Sequence, residues 1–228
     1  MGKIYYIMGK SASGKDTIYK RLIKELPELG IVRMYTTRPI RDGETNGVEY
    51  IFTDEQQLQA MKEAEKVIEC RTYDTIYGPW SYFTADDGQI DLKSGSYLML
   101  GTLESYEALC NYYGAEVMVP IYIHVEDGER LQRALNREKT QKVPKYAEMC
   151  RRFLADEKDF AKERLDQCGI KKQYENIELE QCMEEIKKIC HFKTYYLEKG
   201  ETDVKENWIY RCWDHGEIYG AQSDEGWL

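Results

Sequence analysis

A glycine-rich segment near the N-terminus has the residue types and spacing of a phosphate-binding loop. Residues 9–17 read GKSASGKDT and follow residues 3–8, whose apolar run at 4–8 predicts a short buried strand over 3–8. A helical pattern begins near Lys15, so the segment would connect a strand to a helix. Glycine lets backbone N–H groups point inward at phosphate oxygens, and a helix start adds partial positive charge. The residues expected to bind phosphate or its metal are Gly9, Ser11, Ala12, Ser13, Gly14, Lys15, Asp16 and Thr17.

Asp16 departs from the usual form of this loop. A Ser or Thr normally follows the lysine and places its hydroxyl on Mg²⁺, whereas here the hydroxyl is displaced to Thr17. A carboxylate suits Mg²⁺ as a hard oxygen ligand, directly or through water, so Asp16 is the predicted metal ligand. The alternative is that Asp16 only favours the positive end of the helix electrostatically.

A second polar segment could bind another phosphate. Residues 36–52 read TTRPIRDGETNGVEYIF, in which Arg38 and Arg41 are three residues apart and Tyr50 follows. Two guanidinium groups and a phenol would make a phosphate clamp, because arginine matches phosphate geometry with two parallel hydrogen bonds. On residue types alone, a solvated polar loop with a glycine turn explains the segment equally well.

Composition narrows the class of protein. The 228 residues carry a formal net charge of −9, which argues against coating nucleic acid, since that needs a basic surface. The seven cysteines include no CxxC pair, so neither a disulfide framework nor a zinc site is expected. The apolar run at 4–8 is too short to cross a membrane. We therefore expect a cytoplasmic protein with no nucleic-acid or membrane partner.

The elements that must position these residues alternate along the chain. Such alternation predicts an α/β fold with a mostly parallel sheet flanked by helices, whose ligands bind at the carboxyl ends of the strands. Besides the elements around the glycine-rich segment, the patterns predict two short strands within 67–84. The other predicted strands are 97–100, 117–125 and 171–177, and the other predicted helices are 54–66, 103–113, 127–137, 145–166 and 178–191.

The composition changes near the C-terminus. Residues 194–228 contain three of the four tryptophans, with turn signals between aromatic runs. We interpret residues 193–228 as a small antiparallel β appendage to a domain that spans 1–192. Such a short chain cannot bury a stable core alone, so it would dock on the rest of the chain or on a partner subunit as a homodimer.

The two polar segments together resemble the guanylate kinase family. The stretch from Thr36 to Phe52 is similar to the GMP-binding signature of that family, and the phosphate loop lies at the matching distance upstream. The resemblance covers about residues 1–191. It implies a P-loop kinase fold with an inserted mixed α+β subdomain for the nucleoside monophosphate at about 34–90 and a lid at about 137–150. The implied reaction is Mg-ATP plus GMP giving ADP plus GDP.

The resemblance also assigns roles to individual residues. Lys15 would act on the ATP phosphates, and the lid arginines Arg137 and Arg152 would neutralise charge on the transferred group. Arg133 and Arg151 are further lid cations, for which pairing with nearby acids is an equal alternative. The residues implied to bind nucleotide are Arg38, Arg41, Tyr50 and Tyr77 for the GMP phosphate, Glu69 for the guanine edge, and Asn176 near the adenine.

Several positions depart from the family pattern. Met34 stands where the family has Ser, Pro79 replaces the hydroxyl residue after Tyr-Gly, and residues 101–104 replace an acidic pair. These changes fall on base recognition and on metal or acceptor positioning, so two alternatives stay open. One is a P-loop kinase with another phosphorylated acceptor, since Gly-Lys-Asp-Thr resembles ribose bisphosphokinases. The other is a non-catalytic guanylate-kinase-like binding module, although such modules typically lose the phosphate loop.

Overall fold

The computed structural model describes residues 1–75 and 78–198. Nine strands and seven helices alternate in the described part of the chain. The strands are β1 (Ile4–Met8), β2 (Gly30–Ile31), β3 (Tyr35–Thr36), β4 (Ile51–Phe52), β5 (Val67–Thr75), β6 (Gly78–Ala85), β7 (Tyr97–Leu100), β8 (Met118–His124) and β9 (Gln173–Glu175). The helices are α1 (Lys15–Glu25), α2 (Glu55–Glu63), α3 (Leu103–Tyr113), α4 (Asp127–Lys139), α5 (Tyr146–Asp159), α6 (Lys162–Gln167) and α7 (Leu179–Glu198).

Five of the strands form a central parallel sheet in the order β2-β7-β1-β8-β9. β1 lies in the middle, and all five of its side chains are fully buried. Tyr5 and Ile7 face one hydrophobic cluster, whereas Ile4, Tyr6 and Met8 face the other. Because side chains alternate along a strand, both faces of the sheet are covered by helices, and the run is apolar throughout. This confirms the predicted parallel α/β architecture.

The strands between β2 and β7 in the chain, β3 to β6, form a second, mixed sheet. Its order is β4-β3-β6-β5, with β5 and β6 antiparallel and β3 parallel to β4. Helix α2 covers one face through Leu58, which is fully buried beside Phe83. The Asp54 side chain caps α2 by accepting from the Gln57 amide at 2.8 Å, as the capping pattern predicts.

Three differences from the sequence-based elements have physical causes. The two-residue strands β2, β3 and β4 are too short to show periodicity, so the sequence does not predict them. The single helix predicted at 145–166 is broken into α5 and α6, because Phe160 turns inward and stacks on Tyr122 at 5.5 Å between ring centroids. Helix α7 continues to Glu198, since no Gly or Pro stops it before Gly200.

The extension of α7 affects the predicted C-terminal appendage. Its first residues, 193–198, continue the helix instead of beginning a strand. Residues 199–228, with the three tryptophans and the predicted docking or dimer surface, lie outside the described residues. Within the described ranges, no helix is long and apolar enough to cross a membrane.

Packing of α1 against the central sheet yields a stability prediction. Leu22 is fully buried on α1, whereas Leu154 on α5 is 64% exposed. Leu22→Ala should lower the free energy of unfolding by about 2–5 kcal/mol, because it removes buried methyl groups and leaves a cavity. Leu154→Ala is the matched control, and its effect should stay within about 0.5 kcal/mol. Urea denaturation measures both, and equal effects would contradict this core assignment.

Candidate functional site

The phosphate loop connects β1 to α1 at the carboxyl edge of the central sheet. Gly14 has a φ of 86° and Ala12 a φ of 63°, both in the left-handed region. A Cβ at Gly14 would lie 2.3 Å from Nδ2 of Asn176, and a Cβ at Gly9 would lie 2.6 Å from the carbonyl oxygen of Ile123. The close approach of neighbouring backbone and side chains thus requires glycine at both positions.

Several polar groups of the loop lack partners among the described residues. There helix α1 has no side-chain cap, and the amide groups of Gly14, Lys15 and Asp16 donate to no backbone or side-chain acceptor. The hydroxyl of Ser13 is buried and has no hydrogen-bond partner there either. Unpaired amides at a helix start favour an anion, so the geometry suits a phosphate group.

Lys15 and Asp16 lie side by side at the entrance of this anion site. The Lys15 ammonium is 3.5 Å from the Asp16 carboxylate, and the Asp16 side chain is 71% exposed. No group of three or more His, Cys, Asp or Glu that could hold a metal occurs among the described residues. One exposed carboxylate beside a phosphate site suits Mg²⁺, which usually takes one or two carboxylates together with substrate phosphates. The metal-ligand role of Asp16 stays a prediction.

Asn176, directly after β9, contacts the phosphate loop. Its side-chain amide donates to the Ser13 carbonyl at 2.8 Å, and its backbone amide donates to the His124 carbonyl at 2.9 Å. Arg133 in turn donates to the Asn176 carbonyl at 3.1 Å. Asn176 is therefore a buried support of the phosphate loop, while the predicted position near adenine is not tested.

Sequence reasoning missed Arg130, which supports the loop from α4. This guanidinium is only 1% exposed and donates to the Ser11 carbonyl at 3.1 Å. It also donates to Asp127 at 2.6 Å and to Glu157 at 2.8 Å, and it lies 4.5 Å from the centre of the Phe153 ring. Asp127 and Arg130 are three residues apart on one helix face, and this spacing could have indicated their ion pair. No local spacing indicates the contact of Arg130 with Ser11, because the two residues lie far apart in the sequence.

Helix α5 contacts the loop through the same acidic cluster. Asp156 accepts from the Ser11 amide at 2.7 Å, and Glu157 accepts from the Lys10 ammonium at 2.7 Å. Helices α4 and α5, which flank the predicted lid, are thus attached directly to the phosphate loop. A displacement of either helix would therefore move the backbone of Ser11 or break its hydrogen bond.

Of the residues predicted to form the acceptor clamp, the structure places Arg38 and Tyr50 in contact. The buried guanidinium of Arg38 makes two hydrogen bonds to Glu44, at 2.6 and 2.7 Å, and lies 5.2 Å from the centre of the Tyr50 ring. Glu44 also accepts from the Arg41 amide at 2.9 Å, while the Arg41 side chain is exposed. Arg38 is thus held firmly and Arg41 points to solvent. Tyr77 lies outside the described residues.

The phenol of Tyr50 lies in a half-buried, charged environment on the acceptor side. Burial raises its pKa, and the charges of Tyr82 and Asp16 raise it further, whereas Arg38 and Arg71 lower it. The carboxylate of Asp16, on the phosphate loop, thus contributes to the electrostatic field at this phenol.

Glu69 lies on β5 in a buried ion pair. It accepts from the Nε of Arg71 at 3.0 Å and from the Thr84 hydroxyl at 2.9 Å. Burial alone would lower the pKa of Arg71, but Glu69, together with Tyr73 and Tyr6, raises it above its ordinary value. The sequence pattern indicated Glu69 without this arginine. Arg71 follows Glu69 by two positions on β5, and in a strand this spacing places both side chains on the same face.

The lid cations fall into two groups. Arg133 is paired with Glu129 and Arg151 with Glu148, both at 2.8 Å. Arg152 has only distant acidic neighbours, Glu138 at 3.8 Å and Glu148 at 3.7 Å. Arg137 is exposed, and no ion pair is found for it in residues 1–75 and 78–198. The two lid arginines predicted to be catalytic are therefore the ones with long ion pairs or none in the described residues, where neither has a hydrogen bond to the phosphate loop.

The Arg38–Glu44 pair leads to a prediction about acid stability. Hydrogen bonds from Arg38 lower the pKa of Glu44 from 4.5 to about 2. A depressed carboxyl pKa stabilises the fold above pH 4.5, and that contribution is lost as the pH falls towards 2. The stability difference between the native protein and Glu44→Gln should therefore shrink over this range, as thermal melts at each pH would show. Glu55→Gln, at an exposed position, is the control, and a pH-independent difference for Glu44→Gln would contradict the prediction.

Comparison with known proteins supports the resemblance first for the N-terminal part. Residues 1–81 match the sequence model of the guanylate kinase family. A guanylate kinase of Legionella pneumophila strain Lens is 36% identical over 78 residues, which are 34% of this chain and 37% of that protein. A guanylate kinase of Neisseria meningitidis strain Z2491 is 28% identical over 127 residues, 53% of this chain and 60% of that protein. The chain thus spans about 37–60% of the length of these curated relatives.

A solved structure extends the likeness in fold. The crystal structure of guanylate kinase from Anaplasma phagocytophilum superposes with a TM-score of 0.56, covering 84% of this chain and 86% of that one, at 15% sequence identity. Such low identity supports the fold and no particular chemistry. Together these matches confirm the resemblance to the guanylate kinase family, in sequence for residues 1–81 and in fold for most of the chain.

Proposed function

We propose that this protein transfers the γ-phosphate of Mg-ATP to GMP, giving ADP and GDP. The observation that carries the proposal is the start of α1, where in the described part of the chain the amides of Gly14, Lys15 and Asp16 donate to no acceptor. Lys15 begins the same helix on the donor side, and Arg38 with Tyr50 forms a second group on the acceptor side. These two groups would hold a donor phosphate and an acceptor phosphate in neighbouring positions. The cytoplasmic location expected from the sequence stays part of this proposal.

The chain would act by positioning and charge. Phosphoryl transfer needs little covalent chemistry from the protein, because most of the effect comes from orientation and electrostatic stabilisation. Lys15 and the loop amides would hold the donor phosphates, and Arg38, Arg41 and Tyr50 would orient the acceptor. Mg²⁺, held with the help of Asp16, supplies positive charge to the ATP phosphates when it is bound.

The lid would complete the arrangement. In the described chain Arg137 is exposed and has no ion pair, and Arg152 has only two long ion pairs, to Glu138 at 3.8 Å and to Glu148 at 3.7 Å, so their charge would be available for the transferred group. Their contribution requires the lid to move towards the phosphate loop. The attachment of α5 to Ser11 through Asp156 gives that movement a fixed point beside the reacting phosphates.

The acceptor is tested with a panel of phosphorylated compounds. We expect Mg-ATP-dependent turnover with GMP to exceed turnover with AMP, CMP, UMP and ribose 1,5-bisphosphate. Preference for ribose 1,5-bisphosphate would replace the proposed acceptor and keep the kinase. No turnover with any of them, together with measurable GMP binding, would favour a binding module.

Lys15 is the sharpest test of the donor side. Lys15→Ala should lower kcat by about 10²–10³-fold, since it removes a charge aimed at the developing phosphate charge. Lys20→Ala, at an exposed position of the same helix, is the matched control and should leave kcat within about twofold. Coupled ADP-release assays measure both, with melting temperature as the check on folding. Near-native turnover of Lys15→Ala would remove the proposed role of the loop.

Asp16 is tested through the metal. If its carboxylate helps to hold Mg²⁺, Asp16→Ala should raise the Mg²⁺ concentration needed for half-maximal rate several-fold. Asp166→Ala removes an exposed carboxylate of α6 and should change nothing. An unchanged Mg²⁺ requirement in Asp16→Ala would leave only an electrostatic role at the helix start.

A further inference from the structure

Arg71 is a buried charge on the acceptor side to which the proposed function gives no role. It follows Glu69 by two positions on β5, and its side chain is 8% exposed. Its Nε donates to Glu69 at 3.0 Å, and one terminal nitrogen donates to the Thr102 hydroxyl at 2.8 Å. Thr102 caps α3 at the carboxyl edge of the central sheet, so Arg71 lies between the two sheets of the protein.

The second terminal nitrogen of Arg71 has a poor partner. Among the described residues, its recorded acceptor is the thioether sulfur of Met34 at 3.7 Å. A thioether is a weak acceptor, and a buried guanidinium N–H without a strong acceptor is costly. This nitrogen would therefore gain from an oxygen acceptor supplied by a ligand.

Glu69 has complementary capacity. Within the described residues, its Oε2 accepts one hydrogen bond, from Arg71, and its Oε1 accepts one, from Thr84. A carboxylate oxygen can accept two, so both oxygens can still receive ligand donors. The pair thus places the carboxylate acceptors of Glu69 beside a terminal N–H donor of Arg71. The ion pair between the two side chains fixes which of them lies on which side.

The Watson–Crick edge of guanine has the matching order. It presents the O6 acceptor beside the N1–H and 2-amino donors, whereas adenine presents a 6-amino donor beside an N1 acceptor. We propose that Arg71 determines base specificity together with Glu69, donating to O6 while Glu69 accepts from N1–H and the 2-amino group. The inference rests on the proposed function and names a base-reading residue for the same site. It also supplies a donor to the proposed base site, since Met34 and Pro79 stand where the family pattern has hydroxyl residues.

The competing explanation is purely structural. Arg71 could serve only to join β5 to Thr102 and to neutralise Glu69. In that case its loss would lower kcat/KM for all acceptors by the same factor, because the whole acceptor side would shift. Selectivity between acceptors that differ in one atom therefore separates the two explanations.

Kinetics with GMP and two analogues test the proposal. In 6-thioguanosine monophosphate a sulfur replaces O6, and inosine monophosphate lacks the 2-amino group. The native protein should prefer GMP over the thio analogue by about tenfold or more in kcat/KM. Arg71→Met should reduce that preference to about twofold while keeping the preference for GMP over inosine monophosphate. Glu69→Gln should show the opposite pattern, and Arg164→Met, on α6, should change neither preference.

Control variants address folding. Arg71→Met leaves Glu69 buried without its partner, so the neutral double variant Glu69→Gln/Arg71→Met and the charge-keeping Arg71→Lys are measured beside it, each with a melting temperature. An equal loss for all three nucleotides in a folded Arg71 variant would overturn the proposal. So would a native protein that uses GMP and the thio analogue equally well, a result that needs no variant. Absence of turnover with every nucleotide would instead overturn the proposed function itself.

Discussion

The backbone amides at the start of α1 are the constraint on which the rest of the site depends. Among the residues that the structure describes they have no partner, nor has the buried hydroxyl of Ser13, and unpaired polar groups are normally costly in a folded protein. The loop keeps this arrangement because glycine is the only residue that fits at Gly9 and Gly14, where a Cβ would meet Ile123 and Asn176. The parallel sheet fixes both of those neighbours, since β8 and β9 end at the same edge as β1.

Buried arginines, each paired with acid, organise the surroundings of the loop. Arg130 joins Ser11 to Asp127 and Glu157, Arg38 is held by Glu44, and Arg71 is held by Glu69. A buried charge pair adds little net stability, but the loss of one partner leaves an uncompensated charge. Such pairs therefore fix geometry more than they stabilise the fold. Two of them connect separate parts of the chain, Arg130 through the loop and Arg71 through Thr102.

The likeness to guanylate kinases is uneven along the chain. The glycine-rich loop and the stretch from Thr36 to Phe52 lie within the matched residues 1–81, and so do the departures at Met34 and Pro79. The lid cations and Asn176 lie beyond them, in a part for which the solved structure supports only the fold. The proposed role of Arg71 in base recognition rests on its contacts with Glu69 and Met34.

Local patterns in the sequence were enough to predict the glycine-rich connection between β1 and α1, the cap of α2, the apolar run of β1 and the parallel α/β class. Each of these depends on a backbone conformation or a periodicity that neighbouring residues impose. The short strands β2 to β4 and the break at Phe160 escaped prediction, because they form only through packing against distant parts of the chain. The tertiary structure alone decided that Asn176 supports Ser13 across 163 positions and that Arg71 meets Thr102 across 31. Contacts of that kind are set by which strand ends share one edge of a sheet, and no local spacing of residues encodes them.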